Sequence, residues 1–189
     1  MQEYKFYNMF EYYTEASHKI DSQIVFTHMD FHRANRIVSK EILPNGNCKR
    51  NLYFIDLDTS MYSYRGFDFG AFFNTYLLKK DEKTTKFSTD EQMLKFIEIY
   101  RQECAKIKGE SYLLDNKNSS QQILSETKFF IMYYFFLFSF FSFSMFCQDP
   151  SKENNREFFR NIIARHSLAS ELKKQYKEQG IFPDLGIDF

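Results

Sequence analysis

The chain has no tryptophan and carries only six glycines and three prolines in 189 residues. So few chain breakers argue against a fold of many tight turns and favour helices. Cysteine is scarce as well. Cys48, Cys104 and Cys147 are far apart, odd in number and form no CxxC pair, so neither a disulfide framework nor a zinc knuckle is indicated, and a reducing compartment fits. Neither sign of charge is in excess: lysine plus arginine and aspartate plus glutamate stand at 25 each. No global field therefore draws the chain to nucleic acid or to an anionic membrane. The opening MQEYKFYNMFEYYTEASHK carries acids and no apolar signal core, so no secretory leader is expected and a cytoplasmic location is.

What is abundant is aromatic: 24 Phe and 13 Tyr. The length suits one domain with a substantial core. Residues 3–19 alternate aromatic and polar positions at helical spacing, and Ile24–Thr27 reads as a short strand. A second short apolar stretch is Ile37–Val38. Asn45-Gly46 marks a hairpin turn ahead of a strand over Leu52–Ile55. After Gly66 the spacing turns helical, with Phe67, Phe69, Phe72, Phe73, Tyr76 and Leu77 on one broad face. Ser88-Thr89-Asp90-Glu91 starts another helix. Residues 110–122 are polar and loop-like, and helices are expected at about 122–147 and 152–179. No internal repeat is visible. The expected fold class is α+β, mainly helical, with a small β-hairpin platform ahead of a helical body.

The most informative stretch is HMDFHRAN, residues 28–35, directly after the strand. Asp30 and Asn35 have the spacing of the kinase catalytic loop, H-x-D-x-x-x-x-N. In that device a carboxylate such as Asp30 takes the proton of the acceptor hydroxyl. A carboxamide oxygen such as that of Asn35 is a hard, uncharged ligand for the magnesium on the nucleotide phosphates. A second carboxylate is needed at the end of a following hairpin, and Asp56 stands there after LYFI. His28 would hold the loop through its ring. Two other readings compete: a chance gathering of polar loop residues, and a zinc site on His28 and His32. Zinc-protease helices place Glu directly after the first His, where this chain has Met29.

Residues 54–74, FIDLDTSMYSYRGFDFGAFFN, resemble the block I-D-x-E-Y-x-x-Y-N-Y-R-G-F-D-I-G-N-H-F of choline and ethanolamine kinases. VFTHMDFHRAN resembles the same family's strand followed by H-N-D-x-x-x-x-N. The match is clear from about residue 20 to 80 and looser over the helices to residue 179. It implies the C-terminal lobe of a two-lobed kinase-like fold, ATP and Mg2+ as cofactors, and a small amino alcohol as substrate in phospholipid head-group synthesis. By the resemblance Asp30 is the catalytic base, Asn35 and Asp56 bind the metal and nucleotide phosphates, and His32 replaces a Gln near the nucleotide. Asp58 stands where the family has Glu on the substrate side. Tyr62, Tyr64, Arg65, Gly66 and Asp68 match, and Asp68 is expected to brace the catalytic loop, with Arg65 and His28 as further structural support. No nucleic-acid partner is expected; a homodimer is compatible with the family.

Other positions depart from the family. Its amine-facing Glu falls at Thr75, and two Trp of its aromatic cage fall at Ile131 and Tyr134. Tyr134 can rebuild part of a cage, since π faces bind ammonium groups; most of the Phe/Tyr run is expected to be core. That run, FFIMYYFFLFSFFSFSMFC at 129–147, has the length of a membrane span. Ser139, Ser142 and Ser144 dilute it, and a helix apolar all round is also what a buried central helix looks like. The resemblance favours one protein-buried helix with Lys128 and Asp149 near its ends, and no membrane insertion. The stretch before Ile24 holds no glycine, whereas the family's N-lobe carries a Gly-rich loop over the phosphates. The chain is therefore expected to be a single C-lobe without its N-lobe. The readings carried forward are a choline/ethanolamine kinase-like phosphotransferase, a catalytically inactive binding protein, and a membrane protein anchored by residues 129–147.

Overall fold

A computed structural model describes residues 2–75 and 87–186. Among these, the elements run α1 (Gln2–Lys19), β1 (Ile24–Thr27), a 3-10 turn (Arg33–Asn35), β2 (Arg36–Ile42), β3 (Cys48–Phe54), β4 (Met61–Tyr64), α2 (Gly66–Thr75), α3 (Asp90–Lys108), α4 (Ser111–Leu114), a second 3-10 turn (Asn116–Asn118), α5 (Ser120–Gln148) and α6 (Glu153–Glu178). Tyr76 and Leu77, assigned by their spacing to one helical face, lie outside the described residues. The fold is α+β and mainly helical, with two small antiparallel sheets, β1–β4 and β2–β3.

Local chemistry explains most boundaries. Gly46 turns the β2–β3 hairpin with φ +79, a left-handed conformation that glycine adopts without steric cost. The ladder runs from Arg36 opposite Phe54 to Ile42 opposite Cys48, so Ile55 lies just beyond the strand expected to include it. Thr89 caps α3 in a reciprocal box with Gln92. Residues 110–122 differ from the expected plain loop, because α4 and a 3-10 turn capped by Asp115 occupy part of them. Strand β4 has no counterpart among the sequence expectations. MYSY is too short to show a period, and its strand character comes from pairing with β1, Ile24 opposite Tyr64 and Thr27 opposite Met61.

The core is built around the first half of α5. Phe129, Phe130 and Ile131 are fully buried among Tyr12 and Tyr13 of α1, Phe69 and Phe73 of α2, and Met93 and Ile97 of α3. Burying each such side chain contributes about 1.5–3 kcal/mol. Tyr13 stacks on Tyr133 at 4.9 Å between ring centroids and on Phe136 at 5.2 Å. Helices α2 and α5 approach closely because Gly66 and Gly70, one turn apart on α2, both face Phe130. A Cβ on Gly70 would fall 2.5 Å from the Phe130 carbonyl carbon, so any larger residue would force the two helices apart.

The expectation for residues 129–147 needs two corrections. They do form one helix, but the buried stretch lies mostly at 129–136; beyond it Ser142 is buried while Phe140, Phe141 and Phe143 are exposed. Beyond Phe136 the helix outruns the core and packs against α6 along one side, through Phe146 on Phe159 at 4.7 Å and Phe138 on Phe158 at 6.1 Å. Lys128 is not near an end. It lies well inside α5, 3 % exposed, with Nζ 2.7 Å from Asp90 and 2.8 Å from the Gln179 side-chain oxygen.

Candidate active site

Strand β1 hands the chain to the HMDFHRAN loop, and three elements hold the handover in place. Thr27 Oγ1 donates to the Met61 carbonyl of β4 at 2.8 Å. The backbone N–H groups of His28 and Met29 donate to the two carboxylate oxygens of Asp68, at 2.8 and 3.0 Å. Thr59 Oγ1 donates to the His28 carbonyl at 3.1 Å. Met29 has φ +65, a left-handed conformation that costs a non-glycine residue about 1–3 kcal/mol. The two N–H bonds to Asp68 offset that strain at the residue that aims Asp30. Burial pushes the Asp68 carboxyl above its ordinary range, and the His28 and Met29 donors pull back against it. His28 is buried, with Nε2 2.9 Å from the Ile55 carbonyl. A carbonyl can only accept, so this bond puts the ring hydrogen on Nε2.

Asp30 is where the loop converges. Asn35 Nδ2 donates both to the Asp30 carbonyl, at 3.1 Å, and to its Oδ2, at 3.0 Å. His32 Nε2 lies 3.4 Å from the same Oδ2. Tyr134, on the central helix α5, brings its hydroxyl 3.5 Å from Oδ1. Burial raises the Tyr134 phenol, with the Asp30 charge adding to the effect. The Asp30 side chain is still 37 % exposed, which leaves an acceptor hydroxyl room to reach it.

Asp56 and Asp58 follow the hairpin. Ile55 N–H donates to the Asn35 carbonyl at 3.1 Å, so Asp56 begins one residue from Asn35's backbone partner. Asp56 has φ +64 and an exposed side chain. Asp58 stands on the exposed turn closed by Ser60 N–H on the Leu57 carbonyl at 2.9 Å. The structure thus gathers Asp30, His32, Asn35 and Tyr134, puts Asp56 beside them along the backbone, and keeps Asp58 on the adjoining turn. The donor set suits magnesium. Asn35 commits its Nδ2 to Asp30, which leaves Oδ1 open to a cation, and Asp56 adds a solvent-facing carboxylate; Mg2+ uses few protein oxygens and takes the rest from water and phosphate. A zinc pair fits less well, since His28 Nε2 is engaged by Ile55 and His32 Nδ1 by the Ala34 N–H.

Arg65 lies in the interior under the loop. It is 1 % exposed and donates to Glu126 through Nε at 3.0 Å and Nη2 at 2.7 Å, to Asn118 Oδ1 at 3.0 Å, to the Tyr112 hydroxyl at 3.3 Å and to the Lys117 carbonyl at 3.0 Å. Ser22 Oγ donates to Glu126 at 2.9 Å and accepts from Gly66 N–H at 3.3 Å. The network joins the entry to β1, the start of α2 and the start of α5. Burial pushes the Glu126 carboxyl above its ordinary range, against the lowering effect of Arg65, Ser22 and Gln122. Sequence reasoning missed Glu126, Asn118 and Tyr112. The available signal was the pair of charges, Glu126 and Lys128, leading an apolar helix. It also missed Arg165 of α6, whose buried guanidinium donates to the side chain and carbonyl of Asn74 at 2.9 and 2.8 Å, fixing the end of α2.

A D-x-x-x-x-N loop after a strand, a further Asp after the following hairpin and a helical body beneath them are the parts of a kinase-like phosphotransferase. The family model for choline/ethanolamine kinase matches residues 1–170, and the chain belongs to that family. No curated protein matches it.

Proposed function

We propose that the protein transfers the γ-phosphoryl group of ATP to the hydroxyl of a small amino alcohol, choline or ethanolamine, for phospholipid head-group synthesis in the cytoplasm. The observation that carries this reading is the Asp30 carboxylate, held by Asn35 at 3.0 Å and still open to solvent. Asp30 accepts the hydroxyl proton. Asn35 Oδ1 and Asp56 hold magnesium, which when bound neutralises charge on the phosphates. Tyr134 and Asp58 serve the alcohol, Tyr134 through its ring and hydroxyl and Asp58 through its carboxylate. Asp68, His28 and Arg65 support the loop. We also propose that the 189 residues make up one C-terminal lobe and that a separate N-terminal lobe closes the nucleotide cleft.

Ethanolamine is the preferred acceptor in this reading. The chain has no tryptophan, and a quaternary ammonium depends more on an aromatic cage than a primary one does. A radiolabelled phosphate-transfer assay on the full-length natural protein is expected to give phosphoethanolamine in excess of phosphocholine, and none of either after magnesium is removed with EDTA. Absence of transfer to both alcohols would leave a binding protein without turnover.

The exposed Phe140, Phe141 and Phe143 favour a second reading, in which α5, the one described helix long and apolar enough to cross a membrane, is an anchor. Against it, Glu126 and Lys128 of the same helix are buried and paired with Arg65 and with Asp90 of α3, and the first half of the helix is enclosed by protein. We therefore propose a core helix. Alkaline carbonate is expected to release the expressed protein from any membrane fraction; retention in the pellet would establish the anchor instead.

A further inference from the structure

We infer that His32 is a positioning residue for Asp30: its imidazole pins one carboxylate oxygen, so that the other, beside Tyr134, receives the substrate's proton. The inference rests on the phosphotransferase reading of the same site. It differs from the expectation that His32 neighbours the nucleotide.

His32 caps the 3-10 turn that carries Asn35, and its Nδ1 accepts the Ala34 N–H at 3.2 Å. That bond requires the Nδ1 lone pair, so the hydrogen of the neutral ring sits on Nε2. Nε2 is the nitrogen that faces Asp30 Oδ2, at 3.4 Å. A backbone bond from His32 N to the Asp30 carbonyl at 2.8 Å folds the loop so that ring and carboxylate stay together. Asn35 Nδ2 donates to the same Oδ2 at 3.0 Å. Among the described residues, Oδ2 thus takes the short Asn35 bond and has the His32 ring nitrogen close by at 3.4 Å, while Oδ1 takes the Tyr134 hydroxyl at 3.5 Å. A carboxylate held at one oxygen cannot rotate freely, and its less occupied oxygen is the better proton acceptor. In the transfer step the alcohol proton passes to Asp30 Oδ1. The alcohol oxygen bonds to the γ-phosphorus as the bond from that phosphorus to the β,γ-bridging oxygen breaks, releasing ADP. His32 keeps its own proton throughout.

The test separates pinning from capping and from nucleotide contact. In His32→Asn, the short amide still caps Ala34 but falls short of Asp30. In the full-length protein this variant is expected to lower kcat by about tenfold, the scale of a small misplacement of a reacting group. KM for ATP and the thermal midpoint should stay unchanged. His32→Gln, long enough to return an N–H to Asp30, is expected to recover most of kcat. An unchanged kcat with a raised KM for ATP would place His32 on the nucleotide. A fall in kcat that only follows a fall in thermal midpoint would make its role structural. A second readout does not depend on turnover. The 15N NMR signals of His32 are expected to report the Nε2–H tautomer, with the Nε2 proton moving upfield in Asp30→Ala. An Nδ1–H tautomer, or a signal indifferent to Asp30, would overturn the inference even in a protein with no transferase activity. A protein that shows the expected tautomer and shift but no transfer would instead count against the phosphotransferase reading.

Discussion

Replacing Asp30 with alanine is expected to lower phosphoryl transfer by about 10³-fold, the usual span of a lost general base, and to leave the fold intact. The side chain is 37 % exposed, and its partners are the loop's own Asn35 and His32 and the Tyr134 hydroxyl. No buried charge is stranded when it goes. The loop keeps its shape because its other bonds do not involve that carboxylate. Asn35 Nδ2 still donates to the residue 30 carbonyl at 3.1 Å, and Asp68 still takes the His28 and Met29 N–H groups. Circular dichroism and the thermal midpoint should therefore match the parent, with rate the only casualty. Asp30→Asn should behave alike, since a carboxamide fits the space but cannot take the proton at neutral pH. Activity retained within tenfold in either variant would show that another group is the base.

Glu126→Ala is expected to be the most damaging single change to stability. It leaves Arg65, 1 % exposed, without the carboxylate that receives both Nε and Nη2. Breaking a buried ion pair from one side costs about 3–5 kcal/mol, because the remaining charge stays desolvated and unpaired. Ser22 would lose its acceptor as well, and Ser22 is what receives the Gly66 N–H at the start of α2. Urea denaturation followed by circular dichroism measures the loss. The double change Arg65→Met with Glu126→Leu should be milder than Glu126→Ala alone, since it removes both charges together. A single-variant loss under about 1 kcal/mol, the range of solvent-exposed pairs, would show that the pair is not buried as described.

Sequence by itself determined the elements whose signals are local. Ile24–Thr27 is a strand, Asn45-Gly46 turns a hairpin, and Thr89 starts a helix, because strand propensity, left-handed glycine and capping chemistry act within a few residues. The spacing of Asp30 and Asn35 was equally legible: five residues of loop bring the amide back onto the carboxylate. Only tertiary structure decided the rest. Strand β4 exists because β1 offers it a ladder 34 residues away in sequence. Glu126 answers Arg65 across 61 residues, and Tyr134 meets Asp30 across 104; no local pattern carries such pairings. The long Phe/Tyr run makes the same point within one helix. Its composition is apolar all round, which fits burial along its whole length. After Phe136 burial becomes one-sided, kept along the side that meets α6 and lost at Phe140, Phe141 and Phe143, and which side is covered is a property of the packed molecule rather than of any window of its sequence.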